Sequence, residues 1–158
     1  MFMKRAVNCG LVKADNMKQA ILLLSFGTPR QPSDLLPYLT SIRRGKIPTE
    51  RELEVLTARY DAIGQWDNKL LQTMGEEQKK TLESLLKIDA MYLAYLHMPN
   101  SMEQAVESIA AAGYTSILCI VTSPFYSMVG TGAYERKLHS ILRAYPDISC
   151  EIIKSWWN

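Results

Sequence analysis

Ala20-Ile21-Leu22-Leu23-Leu24 runs directly into Ser25-Phe26-Gly27-Thr28-Pro29. Five apolar residues in a row, with no polar alternation, describe a strand covered on both faces rather than one. Three more segments read as strands: Ala90 to Leu96, Ser116 to Val121 and Ser149 to Lys154. Helical patterns lie between them. Thr73-Met74-Gly75-Glu76 has the form of a capping box ahead of Leu82, Leu85 and Leu86, and Ser101-Met102-Glu103-Gln104 repeats the device. The helix after Ser101 sets Met102, Ala105, Val106 and Ile109 on one face and is expected to stop at Gly113. A further helix is predicted from Thr131 to Ala144, ended by Pro146. Such alternation predicts an α/β fold with a four-stranded parallel sheet and helices on both faces.

The connection between the first two strands is too long for a single crossover helix. Ser33 to Arg44 suits one helix, Thr49-Glu50-Arg51-Glu52 caps a second and Thr73 is expected to start the third. Residues 33–66 therefore read as a helical lip inserted over the sheet edge. No repeat, low-complexity tract or linker divides the chain, so residues 17–158 form one expected domain and residues 1–16 a loose extension.

Bulk properties narrow the class of function. The chain has 158 residues, 47% of them hydrophobic and 22% charged, with a formal net charge of +2. That is the composition of one globular domain, and it implies no nucleic-acid partner. No apolar run approaches the roughly 18 residues of a transmembrane helix. The three cysteines, Cys9, Cys119 and Cys150, are odd in number and widely spaced, which argues against a disulfide framework or a zinc or iron–sulfur site. Cys119 and Cys150 each fall in an apolar strand pattern and read as small buried hydrophobes. A reducing cytoplasm is the expected location.

In an open parallel sheet, ligands bind beyond the carboxyl ends of the strands, where strand order reverses. Those ends deliver Ser25 to Pro29, His97 to Asn100, Thr122 to Ser127 and Ser155-Trp156-Trp157. Phe26, Phe125, Tyr126, Trp156 and Trp157 then offer flat apolar faces to a large planar ligand, or simply close the core. Two basic blocks lie on the lip: Ile42-Arg43-Arg44-Gly45-Lys46 and Arg59-Tyr60. Cations near a helix end compensate its dipole. Arginine forks also grip carboxylates through paired, charge-assisted hydrogen bonds. Thr28-Pro29-Arg30 makes a poor phosphate cradle, because proline lacks a backbone donor, which argues against a nucleotide- or flavin-binding domain.

From Met17 to Trp157 the order and spacing of these blocks resemble the amino-terminal half of ferrochelatases, nearest to the Gram-positive type that acts on coproporphyrin. The resemblance implies a chelatase-like (flavodoxin-like) half domain, and a role in haem biosynthesis in which ferrous iron, as substrate, is inserted into a carboxylated porphyrin. It implies that Phe26, Ile42, Arg43, Arg44, Arg59, Tyr60, Asp67, Tyr126 and Tyr134 hold the tetrapyrrole. His97 is the one implied catalytic base and metal-contacting group. No tightly bound cofactor is expected. Two departures stand out: Phe26 replaces a tyrosine whose oxygen can meet the metal, and Asp67 replaces a ligand-contacting serine. The histidine and glutamate that deprotonate the pyrroles in that family belong to its carboxyl-terminal half. A second half-site, from a partner copy in a homodimer or from a missing half, would therefore be needed for metal insertion. The alternative is a truncated relative that binds porphyrin or haem without inserting metal.

Overall fold

The computed structural model describes residues 18–64, 66, 69–88 and 90–156. The proposed extension at 1–16, Asp67 and Trp157 lie outside the described residues. Four strands, β1 (Gln19–Ser25), β2 (Met91–Tyr95), β3 (Ser116–Val121) and β4 (Ser149–Ile153), form one parallel sheet in the order β2-β1-β3-β4. Among the described residues five helices accompany them: α1 (Leu35–Ile42), α2 (Glu50–Ile63), α3 (Lys69–Leu86), α4 (Ser101–Ala111) and α5 (Thr131–Leu142). A short 3-10 turn, Pro32–Asp34, leads into α1. The expected α/β architecture, with its lip of two helices, is the one observed.

β1 is interior to the sheet, and Ala20 to Leu24 are each exposed by 3% or less. This is why its sequence lacks polar alternation. One face carries Leu22 and Leu24, aligned with Cys119 and Val121 of β3, and packs on Met102, Val106 and Ile109 of α4 and Leu138 of α5. The other face carries Leu23 beside Leu93, against which Gly75 of α3 sits so closely that an added Cβ would lie 3.0 Å from Leu93 Cδ2. Helices fall on opposite faces because right-handed crossovers reverse side when the chain reverses direction along the sheet. The reversal lies between β1 and β3.

Local signals fared unequally. Thr49 does cap α2 as expected: Glu52 N–H donates to its Oγ1 (3.3 Å), and Thr49 N–H donates to Glu52 Oε2 (2.7 Å). Gly64, at φ +62°, ends that helix. The box expected at Thr73 is not formed, because α3 already begins at Lys69 and Thr73 is interior to it. Ser101 is not a cap either. Asn100, at φ +56°, precedes the helix, and the Ser101 hydroxyl instead accepts from Tyr95 N–H (3.0 Å), tying α4 to the end of β2. Short-range pattern cannot reveal that a hydroxyl has a tertiary partner.

Candidate functional site

The carboxyl ends of β1 and β2 are held side by side by backbone bonds from Leu96 N–H to Ser25 O (2.9 Å) and from His97 N–H to Phe26 O (3.0 Å). Gly27 turns the chain there at φ +86°, with Met98 and Tyr95 packed where a side chain would go. This seam places the Phe26 and His97 rings edge to face, 4.4 Å between centroids. Tyr38 of α1 closes the group at 6.5 Å from Phe26 and 6.3 Å from His97. Ser41, one turn later on α1, has its Oγ 2.8 Å from His97 Nδ1.

α2 completes the roof. Tyr60 lies 3.3 Å from Thr28 Oγ1 through its hydroxyl and stacks at 4.9 Å with Trp66, whose indole N–H donates to Asp61 (2.5 Å). Burial, with the neighbouring Tyr60 phenol second, pushes Tyr38 up to about 12. Burial alone lowers the His97 pKa below the ordinary histidine value, since a charged imidazolium is poorly solvated among rings. The result is a neutral imidazole at pH 7 next to flat apolar surfaces. Under Phe26 and Tyr38 a cavity of about 260 Å³ is lined by Ser25, Thr28, Arg30 and Met98.

A larger groove of about 810 Å³ opens between α1 and α2, with Leu39, Val55 and Leu56 inside it and Arg43, Lys46 and Arg59 around it. Apolar residues mixed with several cations and the Glu52 carboxylate make up its lining. Arg43 is already engaged: its Nη1 is 2.6 Å from Glu52 Oε2. The Arg43 guanidinium, then the Thr49 cap, hold the Glu52 carboxyl down at about 2. A ligand carboxylate would therefore compete with Glu52 for that fork. Arg44 is exposed at φ +57°, and Ile42, at the end of α1, is 37% exposed.

The aromatic side chains expected at the strand ends meet different partners. The ring contacts of Phe26 are with Tyr38 and His97. Tyr126 and Trp156 belong to a second cluster at the ends of β3 and β4, where Lys154 Nζ sits 5.8 Å from the Tyr126 ring centroid and the Trp156 indole N–H donates to Val121 O (2.8 Å). Tyr134 lies on α5 within the main core, 5% exposed, and burial pushes its hydroxyl up to about 12. It belongs to the same buried cluster as Leu138 and the strand residues Leu22 and Leu24. Tyr38 and Ser41 went unnoticed in the sequence. Their spacing of three, on a helix directly before the basic block, was the available signal.

This assembly can be compared with known proteins. The family model for ferrochelatase matches residues 18–158. The chain belongs to the ferrochelatase family. A coproporphyrin III ferrochelatase of Staphylococcus epidermidis is 36% identical over 122 residues, covering 74% of this chain and 39% of the relative. A coproporphyrin III ferrochelatase of Staphylococcus aureus is 34% identical over 125 residues, covering 76% of this chain and 40% of the relative. The chain thus spans about 40% of the length of these curated relatives. Among the described residues, no helix is long and apolar enough to cross a membrane.

Proposed function

We propose that this chain grips a carboxylated porphyrin, coproporphyrin first among them, and presents one face of it for insertion of ferrous iron. The observation that carries this reading is the convergence of Phe26, Tyr38 and His97, with Tyr60 held beside them at Thr28, from four separate segments, together with a groove between the same two lip helices that Arg43 and Arg59 line. Rings supply stacking area for the macrocycle. Guanidinium groups at the rim supply partners for its carboxylate arms.

His97 is the base that stands among these rings, 4.4 Å from Phe26 between centroids. Metal insertion requires two pyrrole N–H protons to leave while the metal approaches, and a neutral imidazole accepts a proton without first losing one. One histidine serves one proton at a time. Insertion at a useful rate accordingly draws a second base from a second half-site, contributed by a partner copy of the chain or by the portion of ferrochelatase that this chain does not span. Iron enters as substrate, and none of the steps assigned to this chain requires a resident cofactor.

A porphyrin-binding role without metal insertion is the second reading. Phe26, half exposed at the heart of the ring cluster, favours it, because phenylalanine offers no ligand atom to a metal. One experiment separates the two. Coproporphyrin III is titrated against tryptophan fluorescence of the full chain, and ferrous iron is then added anaerobically while the visible spectrum and the sedimentation coefficient are followed. Saturable quenching followed by a metalloporphyrin spectrum supports the chelatase reading. Quenching without that spectrum supports the binder, and absence of quenching refutes both.

A further inference from the structure

Cys119 and Cys150 are 31 positions apart in sequence, yet their sulfurs lie 3.6 Å from each other. The strand register explains the approach. Ile117 aligns with Cys150 and Cys119 with Ile152, so the two cysteines are diagonal neighbours on the sheet face that packs on α4 and α5. Both are free thiols; Cys119 is fully buried and Cys150 half-buried on the edge strand. Two sulfurs at this separation need to close by roughly 1.5 Å to reach a disulfide bond of about 2.05 Å. Among the described residues β4 pairs with β3 alone, so a local shift at this edge disturbs one ladder rather than two. Diagonal placement leaves the closed bond under strain, and strained disulfides are the readily reduced ones.

The geometry points to Cys119 and Cys150 as a reversible thiol–disulfide modification site, oxidised by a hydroperoxide and restored by a small thiol. Cys150 is the attacking sulfur, being the more accessible, and the hydrogen bond from Cys119 lowers its pKa against the opposing effects of burial, Glu135 and Glu151. Burial and the same hydrogen bond keep Cys119 protonated. The Cys150 thiolate attacks one oxygen of hydrogen peroxide, the O–O bond breaks, and a sulfenic acid and hydroxide form. Cys119 then surrenders its proton and displaces the sulfenic hydroxyl, so that an S–S bond replaces S–O. Two thiols and one peroxide become one disulfide and two waters, and two equivalents of a small thiol reverse the change. The closed bond staples β4 to β3 just behind Val121 and Trp156, whose contact links the same two strands at the rim.

The test uses the full chain carrying Cys9→Ser, so that two thiols remain. After hydrogen peroxide, thiol counting and mass spectrometry of a digest are expected to show both thiols lost together in a linked Cys119–Cys150 peptide pair. That pair is lighter by two hydrogen atoms, and dithiothreitol releases it. The melting temperature of the oxidised chain is expected to rise by about 5 °C or more, as for a closed loop of this length less its strain. Cys150→Ser is expected to leave Cys119 reduced, with oxidation slowed at least tenfold, while Cys119→Ala halts Cys150 at sulfenic acid or drives it to sulfinic acid. Should Cys119→Ala fail to fold, the Cys150→Ser arm stands by itself. The inference is overturned if the two-thiol chain accumulates sulfinic acid at Cys150 with Cys119 still free. It is equally overturned if cross-links form only between chains, or if neither thiol reacts at peroxide levels that oxidise the unfolded chain.

Discussion

Replacing Gly27 by alanine tests the seam on which the candidate site is built. Gly27 sits at φ +86°, and a Cβ there would lie 2.9 Å from Met98 Cγ and 3.0 Å from Tyr95 Cβ. Two costs add: about 1–2 kcal/mol for an L side chain in left-handed backbone and about 1–3 kcal/mol for overpacking against its neighbours. The reduced entropy of the unfolded chain returns about 0.4–1 kcal/mol. The net expectation is a loss of roughly 1–4.5 kcal/mol, centred near 3. Gly45 provides the control, because it too has a positive φ, +91°, but nothing lies within 4 Å of its missing Cβ. Gly45→Ala should cost only about 1 kcal/mol. The difference between the two isolates the packing at the β1–β2 seam. Urea denaturation followed by circular dichroism measures both, and the slopes should match that of the parent chain if only stability has changed. Movement of Gly27 also drags the neighbouring bond from His97 N–H to Phe26 O, so porphyrin affinity should fall further in Gly27→Ala than in Gly45→Ala. Equal destabilisation of the two variants would refute the reasoning.

Three further outcomes follow from the same geometry. The Glu52 carboxyl is lowered to about 2 in the fold, so its contribution is complete above the ordinary carboxylate range and fades as pH falls from about 4.5 toward 2; helical signal from the lip should decline over that window, and Glu52→Gln should flatten the decline. His97 should titrate below the ordinary histidine value of about 6.5, because burial disfavours its charged form. Stability should therefore drop as pH falls below that value, and Phe26→Ala, which opens the ring cluster to water, should bring the NMR titration midpoint back up. Tyr134→Phe should leave porphyrin affinity unchanged, since the ring lies in the core, whereas Tyr134→Ala should cost about 3–5 kcal/mol in denaturation as a large-to-small core substitution. Weakened porphyrin binding by a stably folded Tyr134→Phe would restore the ligand-contacting role that the family resemblance implies.

The four strands, their parallel arrangement, the two-helix lip and the capped start of α2 are all legible in the amino-acid order. Each rests on near-neighbour physics: unbroken apolar runs demand cover on both faces, and a threonine three residues ahead of a glutamate satisfies helix donors within reach of the chain itself. The cap expected at Ser101 and the helix start expected at Thr73 failed for the converse reason. Ser101 found a distant partner in Tyr95, and α3 extended backward to Lys69. Only the tertiary structure decided which aromatic residues meet. The lip, folded over the ends of β1 and β2, selected Tyr38 and Tyr60 as companions of Phe26 and His97, while Tyr126 and Trp156 went to the ends of β3 and β4. Register likewise set Cys119 beside Cys150, a closeness invisible at a separation of 31 residues. Proximity across a sheet is fixed by strand order and alignment, and those are properties of the whole packed core rather than of any short segment.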